Sequence, residues 1–116
     1  MIKNQLIYVA HPFGGDKANK YSIDTIMENL VMLDKNNTYL SPLHNFSMLY
    51  FDTQYAKGLK ICLDMLNKCD ALVLCGEWET SKGCIGEWSF AIAKGMPIYT
   101  WKEWTDKLKE QGDNIR

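Results

Sequence analysis

Arginine is almost missing from this chain: of its thirteen basic residues twelve are lysines, and the single arginine is the last residue, Arg116. That leaves no internal arginine fork for a phosphate, so an anion here must be held by backbone N–H groups, hydroxyls or a lysine. An excess of either charge is missing too. Fourteen acidic residues against thirteen basic ones give a net charge of -1, which argues against a nucleic-acid binder that works through bulk electrostatics. No run approaches the ~18 apolar residues of a membrane span, and the charged start MIKNQLIYVA is unlike a signal peptide; a cytoplasmic protein off the membrane is expected. The four cysteines, Cys62, Cys69, Cys75 and Cys84, form no C-x-x-C pair and sit in apolar surroundings. They read as reduced, buried thiols, not as disulfides or zinc ligands.

What is present is enough for one core. The 116 residues are 47% hydrophobic and 23% charged, ordinary for a globular domain, and no repeat or low-complexity linker divides them; residues 1–116 read as a single domain. Gln5 to Ala10 is a short β-rich run, ended by the turn His11-Pro12-Phe13-Gly14-Gly15. From Asp16 to Lys35 the apolar residues Ile23, Ile26, Met27, Leu30, Val31 and Leu33 recur at helical spacing. Thr38 to Ser41 makes a second strand closed by Pro42, and SPLHNFSMLYFD a long connection. Tyr55, Leu59, Ile61, Cys62, Met65 and Leu66 trace a second helix. Ala71 to Cys75 has no polar alternation, as expected of a strand buried on both faces. A third helix carries Cys84, Ile85, Trp88, Ala91 and Ile92, stopped by Lys94-Gly95 and Pro97. Pro97 to Trp101 gives a fourth strand, and Glu103 to Gln111 a polar closing helix.

This alternation predicts an α/β, three-layer, flavodoxin-like (Rossmann-like) domain with a short parallel sheet of four to five strands in the order 2-1-3-4. Ligands of such sheets bind at the carboxyl ends of the strands, at the switch point between the first and third. The loops nominated are His11 to Gly15, Pro42 to Phe51 and Gly76 to Gly86. Just past the last of these Glu87 falls in the first turn of the third helix, where the positive end of the helix dipole favours an ionised carboxylate. An ionised carboxylate is a nucleophile; equally, a glutamate there can simply support the helix N-terminus.

Tyr8 at the end of the first strand, the glycine turn, Cys69-Asp70 before the third strand, Gly76-x-Trp78-x-x-Ser81-x-Gly83-x-x-x-Glu87, an alanine-rich helix and Gly95-x-Pro97 together resemble the nucleoside 2-deoxyribosyltransferase superfamily. The pattern is most similar to its small bacterial and phage members, and is similar to the 2-deoxynucleoside 5-phosphate N-hydrolases. The resemblance implies N-glycosidic bond cleavage, or base exchange, on a nucleoside or nucleoside 5-monophosphate. Glu87 would attack the anomeric carbon, with Tyr8 orienting the carboxylate. It also implies that Ser81, with Gly14 and Gly15, contacts a 5-phosphate, and that the chain is a homodimer or higher homo-oligomer. No cofactor is implied.

One departure concerns the acid. Relatives supply a second carboxylate near the end of the second helix, where this chain has Cys62; Asp64, offset by two positions, and Asp70 are the substitutes at hand. Asp70 can equally satisfy local backbone N–H groups, and Ser81 can be a helix N-cap. His11 and His44 stand in site-facing loops as contacts to base or sugar, without the third ligand a metal needs. Phe13, Trp78 and Tyr50 are flat surfaces for a base; Gly83 permits close approach to the backbone. Two other readings stay open: a catalytically silent nucleotide-binding protein, which the missing aspartate favours, and an NAD glycohydrolase, although no G-x-G-x-x-G is present.

Overall fold

The computed structural model describes residues 4–12, 17–42 and 55–115. Its element order is β1 (Leu6–Ala10), α1 (Lys17–Leu33), β2 (Thr38–Leu40), α2 (Tyr55–Leu66), β3 (Ala71–Leu74), α3 (Lys82–Lys94), β4 (Ile98–Thr100) and α4 (Trp101–Ile115), with a 3-10 turn at Trp78–Thr80. The four strands are all parallel and lie in the order β2-β1-β3-β4. This is the α/β arrangement that the alternating pattern predicts.

The alternation of side chains along the central strands divides the core in two. Tyr8, Ala10, Leu72 and Leu74 face one way, packing with Cys62 and Leu66 of α2 and with Cys84 and Ala91 of α3. Ile7, Val9, Ala71 and Val73 face the other way, with Ile23 and Leu30 of α1 and Trp104 of α4. Helices therefore cover both faces, and β1 and β3, buried on both, carry no polar side chain apart from the Tyr8 hydroxyl. All four cysteines are free and buried.

Helix boundaries follow from capping chemistry. The Ser81 side chain accepts from the Cys84 N–H at 3.3 Å, opening α3. Just past its end, Gly95 takes φ +76°, with its N–H on the Ile92 carbonyl and the Met96 N–H on that of Ala91, the paired bonds of a Schellman stop. The closing helix starts two residues earlier than the polar run suggests. Thr100 and Glu103 form a capping box, in which the Glu103 N–H donates to Thr100 Oγ1 and the Thr100 N–H to Glu103 Oε1, so helical geometry begins at Trp101. Trp101 is consequently not in β4. In α1 the apolar stripe is only partly used: Ile23 and Leu30 are buried, while Val31 and Leu33, at its edges, are exposed with Met32. No helix among the described residues is long and apolar enough to cross a membrane.

A polar network joins α4 to the edge strand. The Trp104 indole N–H donates to the Tyr39 hydroxyl at 3.0 Å, and that hydroxyl donates to Asp34 Oδ2 at 2.5 Å. Asp34 also accepts from the Asn36 N–H and the Asn37 amide, each at 2.8 Å. Burial opposes the Asp34 charge, but these donors outweigh it and hold the carboxyl below the usual aspartate range. Removing the acceptor would orphan three donors. Asp34→Ala is expected to destabilise the protein by about 2–3 kcal/mol, a charged-acceptor loss, read as a lower urea midpoint at unchanged m-value.

Candidate functional site

Three elements bring their side chains together beneath the α2/α3 layer. Tyr8 is the third of the five β1 residues, in mid-strand and not at its end, and is fully buried. Glu87 reaches it from α3; its side chain is buried, with 6% of the residue exposed. The Tyr8 hydroxyl donates a short hydrogen bond to Glu87 Oε2 across 79 residues of sequence. Cys62 of α2 and Cys84 of α3 lie in the same buried cluster as Tyr8, and both are close enough to sense the Glu87 charge.

The electrostatics run against the expectation of an ionised Glu87 at a helix N-terminus. Ser81 is the N-cap of α3 and Glu87 the sixth helical residue, in the second turn, where the dipole has largely fallen off. Burial dominates. It pushes the Glu87 carboxyl up to about 7, against the opposing pull of the Tyr8 hydrogen bond. Burial, the Glu87 charge and the hydrogen bond to Glu87 push Tyr8 upward as well, and burial with the Glu87 charge pushes the Cys62 thiol up to about 11. Cys84 goes up to about 12 for the same two leading reasons. At neutral pH the cluster therefore holds a half-ionised carboxyl, a phenol and two thiols.

The two aspartates considered as proton donors are elsewhere. Asp64 points outward from α2, its side chain 64% exposed and paired with Lys60 at 2.8 Å. Asp70 stands at the amino edge of the sheet, where its Oδ2 accepts from the Leu6 N–H at 2.7 Å and its own N–H donates to the Leu6 carbonyl. That pair of bonds staples the starts of β1 and β3. Cys62, by contrast, occupies the place beside Tyr8 and Glu87.

His11 and Gly76 follow β1 and β3 at the carboxyl edge. His11 is buried, with Nδ1 2.7 Å from the Pro12 carbonyl and Nε2 2.9 Å from Ser22 Oγ of α1. A carbonyl only accepts, so Nδ1 carries a proton; in the neutral ring Nε2 then accepts from Ser22. Both nitrogens are thus used within the chain. The ring lies over Gly76, at φ +63°, where an added Cβ would come within 2.8 Å of Nε2; only glycine meets both the left-handed backbone and the close approach. Trp78, in the 3-10 turn, is partly buried and packs against Trp88 of α3, ring centroids 5.8 Å apart. Gly83 is in the first turn of α3, half-buried. Phe13, Gly14, Gly15, His44 and Tyr50 lie outside the described residues. Among the described residues no group of three or more His, Cys, Asp and Glu side chains could hold a metal ion.

A family model, the domain of unknown function DUF4406, matches residues 5–100. The chain belongs to the DUF4406 family. A solved structure with a similar fold is that of a conserved protein from Enterococcus faecalis V583, with a TM-score of 0.65 and 22% sequence identity. The likeness covers 84% of this chain and 62% of that one, so this DUF4406 chain spans less than two thirds of its structural neighbour. At that identity the match is one of fold. No curated protein matches the sequence. The DUF4406 match takes in β1 through β4 and so contains Tyr8, Cys62 and Glu87.

A carboxyl raised by burial leaves a signature in stability. Between pH ~4.5 and ~7 the folded state holds a proton on Glu87 that the unfolded chain has released, so stability falls as pH rises through this window. Glu87→Gln removes the titration. The variant is expected to lose less stability than the wild type between pH 4.5 and 7.5, the difference reaching on the order of 3 kcal/mol, measured by denaturant unfolding at a series of pH values.

Proposed function

We propose that Tyr8 and Glu87 are the reactive pair of an enzyme that cleaves, or exchanges the base of, a nucleoside or nucleoside 5-monophosphate. The observation that carries this reading is the buried Glu87 carboxyl with the Tyr8 hydroxyl donated to it. A carboxylate stripped of water is a stronger nucleophile than a solvated one, and a fixed phenol keeps one oxygen occupied and the other free for attack.

In the reaction, a Glu87 oxygen bonds to C1′ as the C1′–N bond breaks, and the bonding pair leaves with the base, which takes a proton from solvent, to be returned by the water or second base of the next step. Water, or a second base, then attacks C1′ and returns Glu87 as carboxylate. Charge at the cation-like transition state is balanced by the same carboxylate. Ser81 at the α3 N-terminus, with Gly14 and Gly15 as the sequence resemblance implies, is the proposed seat of a 5-phosphate, held by N–H and O–H groups. A homodimer or higher homo-oligomer is the working form that the sequence resemblance supports.

A second reading has its own observation. Cys62 stands beside the pair where the resemblance places a carboxylate, while Asp64 is solvated and Asp70 is occupied at the opposite edge. A site lacking that acid suits a protein that binds a nucleotide without turning it over.

A chromatographic assay for free base separates the two. With a panel of ribo- and deoxyribonucleosides, their 5-monophosphates and NAD, the wild type is expected to release base from at least one class, and Glu87→Gln to lose at least ~10³-fold, as for a missing nucleophile. Tyr8→Phe should lose about 10–10²-fold, in the range of one lost orienting hydrogen bond. Because the attacking form is ionised, the rate should rise with pH and level off above about 7. Full activity in Glu87→Gln would overturn the mechanism. Ligand-induced thermal stabilisation without base release would support the binding protein.

A further inference from the structure

Two connections leave the sheet at its carboxyl edge, and a single ring bears on both. His11 follows β1 and Gly76 lies just beyond β3; the His11 ring lies against Gly76, where an added Cβ would stand 2.8 Å from Nε2. Its Nδ1–H donates to the Pro12 carbonyl at 2.7 Å, and Nε2 pairs with Ser22 Oγ of α1 at 2.9 Å. From Pro12 the chain runs on to Gly14 and Gly15. Past Gly76 the backbone is braced as far as Ser81. The Thr80 N–H and hydroxyl both donate to the Glu77 carbonyl, at 3.0 and 2.7 Å, and the Ser81 N–H donates to that of Trp78 at 3.1 Å. The ring therefore acts through Pro12 on the stretch leading to Gly14 and Gly15, and through Gly76 on the stretch leading to Ser81.

We propose that Ser22 is a positioning residue for the phosphate end of the ligand site, acting through His11: its hydroxyl holds the ring against Gly76 and keeps the two stretches in register. One hydrogen bond, to Pro12, would leave the imidazole free to swing about it; the second, to Ser22, fixes the ring plane. The role rests on the proposed nucleotide site and does not require turnover. Side chains alternate along β1, so that Tyr8 packs towards α2 and α3, whereas Val9 packs towards α1, the helix that also holds His11. Ser22 and Glu87 are thus on opposite faces of the sheet. Loss of the Ser22 hydroxyl should change the affinity for a phosphate and leave the chemistry at Glu87 alone.

The test is calorimetric binding of the common deoxyribonucleosides and their 5-monophosphates to the full chain, with base release assayed alongside. Ser22→Ala is the main variant, because Ser22 is exposed and alanine is the better helix former, so the fold is retained. It is expected to bind 5-monophosphates about 3–10-fold more weakly, the scale of one lost hydrogen bond, with nucleoside affinity unchanged. In turnover the loss should fall on KM, and the pH–rate midpoint should stay where it is. Ser22→Thr keeps a hydroxyl and should restore the wild-type preference. His11→Phe keeps a flat ring without either nitrogen, and in that background Ser22→Ala should weaken binding no further. A further loss of the same size would mean that Ser22 touches the ligand itself, and would overturn the positioning role. An unchanged ratio of monophosphate to nucleoside affinity in Ser22→Ala would also overturn it, whether neither affinity moves or both fall together. A wild type that binds none of these compounds defeats the nucleotide site and the role of Ser22 with it. Selective loss of monophosphate binding in a protein that releases no base upholds the role and defeats only the glycosidase reading.

Discussion

A carboxyl group in the middle of a hydrophobic layer is the constraint on which the rest of the site depends. Glu87 of α3 is buried and bonded to Tyr8, whose apolar cluster includes Cys62, Leu66, Leu72, Leu74 and Cys84, and the desolvation of its charge is tolerated because the Tyr8 hydroxyl donates to it. Tyr8 in turn has no exposure and no solvent partner, so the two groups satisfy one another. Neither side chain is easily understood alone. An unpartnered tyrosine hydroxyl in mid-strand, or an unpartnered glutamate under a helix, would each be a cost to the fold; together they form a polar centre inside an otherwise apolar face.

The two faces of the sheet handle polar groups differently. On the α1/α4 side, Asp34, Tyr39 and Trp104 form a chain of donors ending on a carboxylate whose charge is stabilised by several partners. On the α2/α3 side the carboxylate has a single O–H donor among the described residues, and its ionisation is resisted. The first arrangement secures the β2 edge and α4. The second keeps a carboxyl poised between its two protonation states near neutral pH, which is of use in proton or nucleophile chemistry and of little use in stability. The carboxyl edge is held by a further fixed contact, the His11 ring seated on Gly76 and anchored to Ser22. It links the end of β1, the end of β3 and the start of α1.

Much of this was legible in the chain before folding. Strands and helices alternate with the right periods, Gly95 and Pro97 mark the end of α3, and the uninterrupted run Ala71 to Leu74 is central in the sheet. The start of α4 was legible too, in the box formed by Thr100 and Glu103, but it is easily missed when the preceding PIYTW is read as strand throughout. Tyr8 and Glu87 could be named from a pattern of short motifs. Asp64 and Asp70 could be named the same way, yet the fold turns one to solvent beside Lys60 and fixes the other to the Leu6 backbone. His11 was visible as a loop histidine, not as a ring with both nitrogens already taken.

Sequence by itself determined the local structure and the layer order, because periodicity, capping and buried runs act over a few residues and depend little on what lies across the core. Only the tertiary structure decided the chemistry of the cluster. Tyr8, Cys62 and Glu87 are far apart in the chain and adjacent in space, and the ionisation of Glu87 is set by the water excluded around it, not by its place along α3. The helix dipole that a sequence suggests is a local effect that fades within the first turn; desolvation is a property of everything packed around the group, and here it outweighs the Tyr8 hydrogen bond and raises the Glu87 carboxyl.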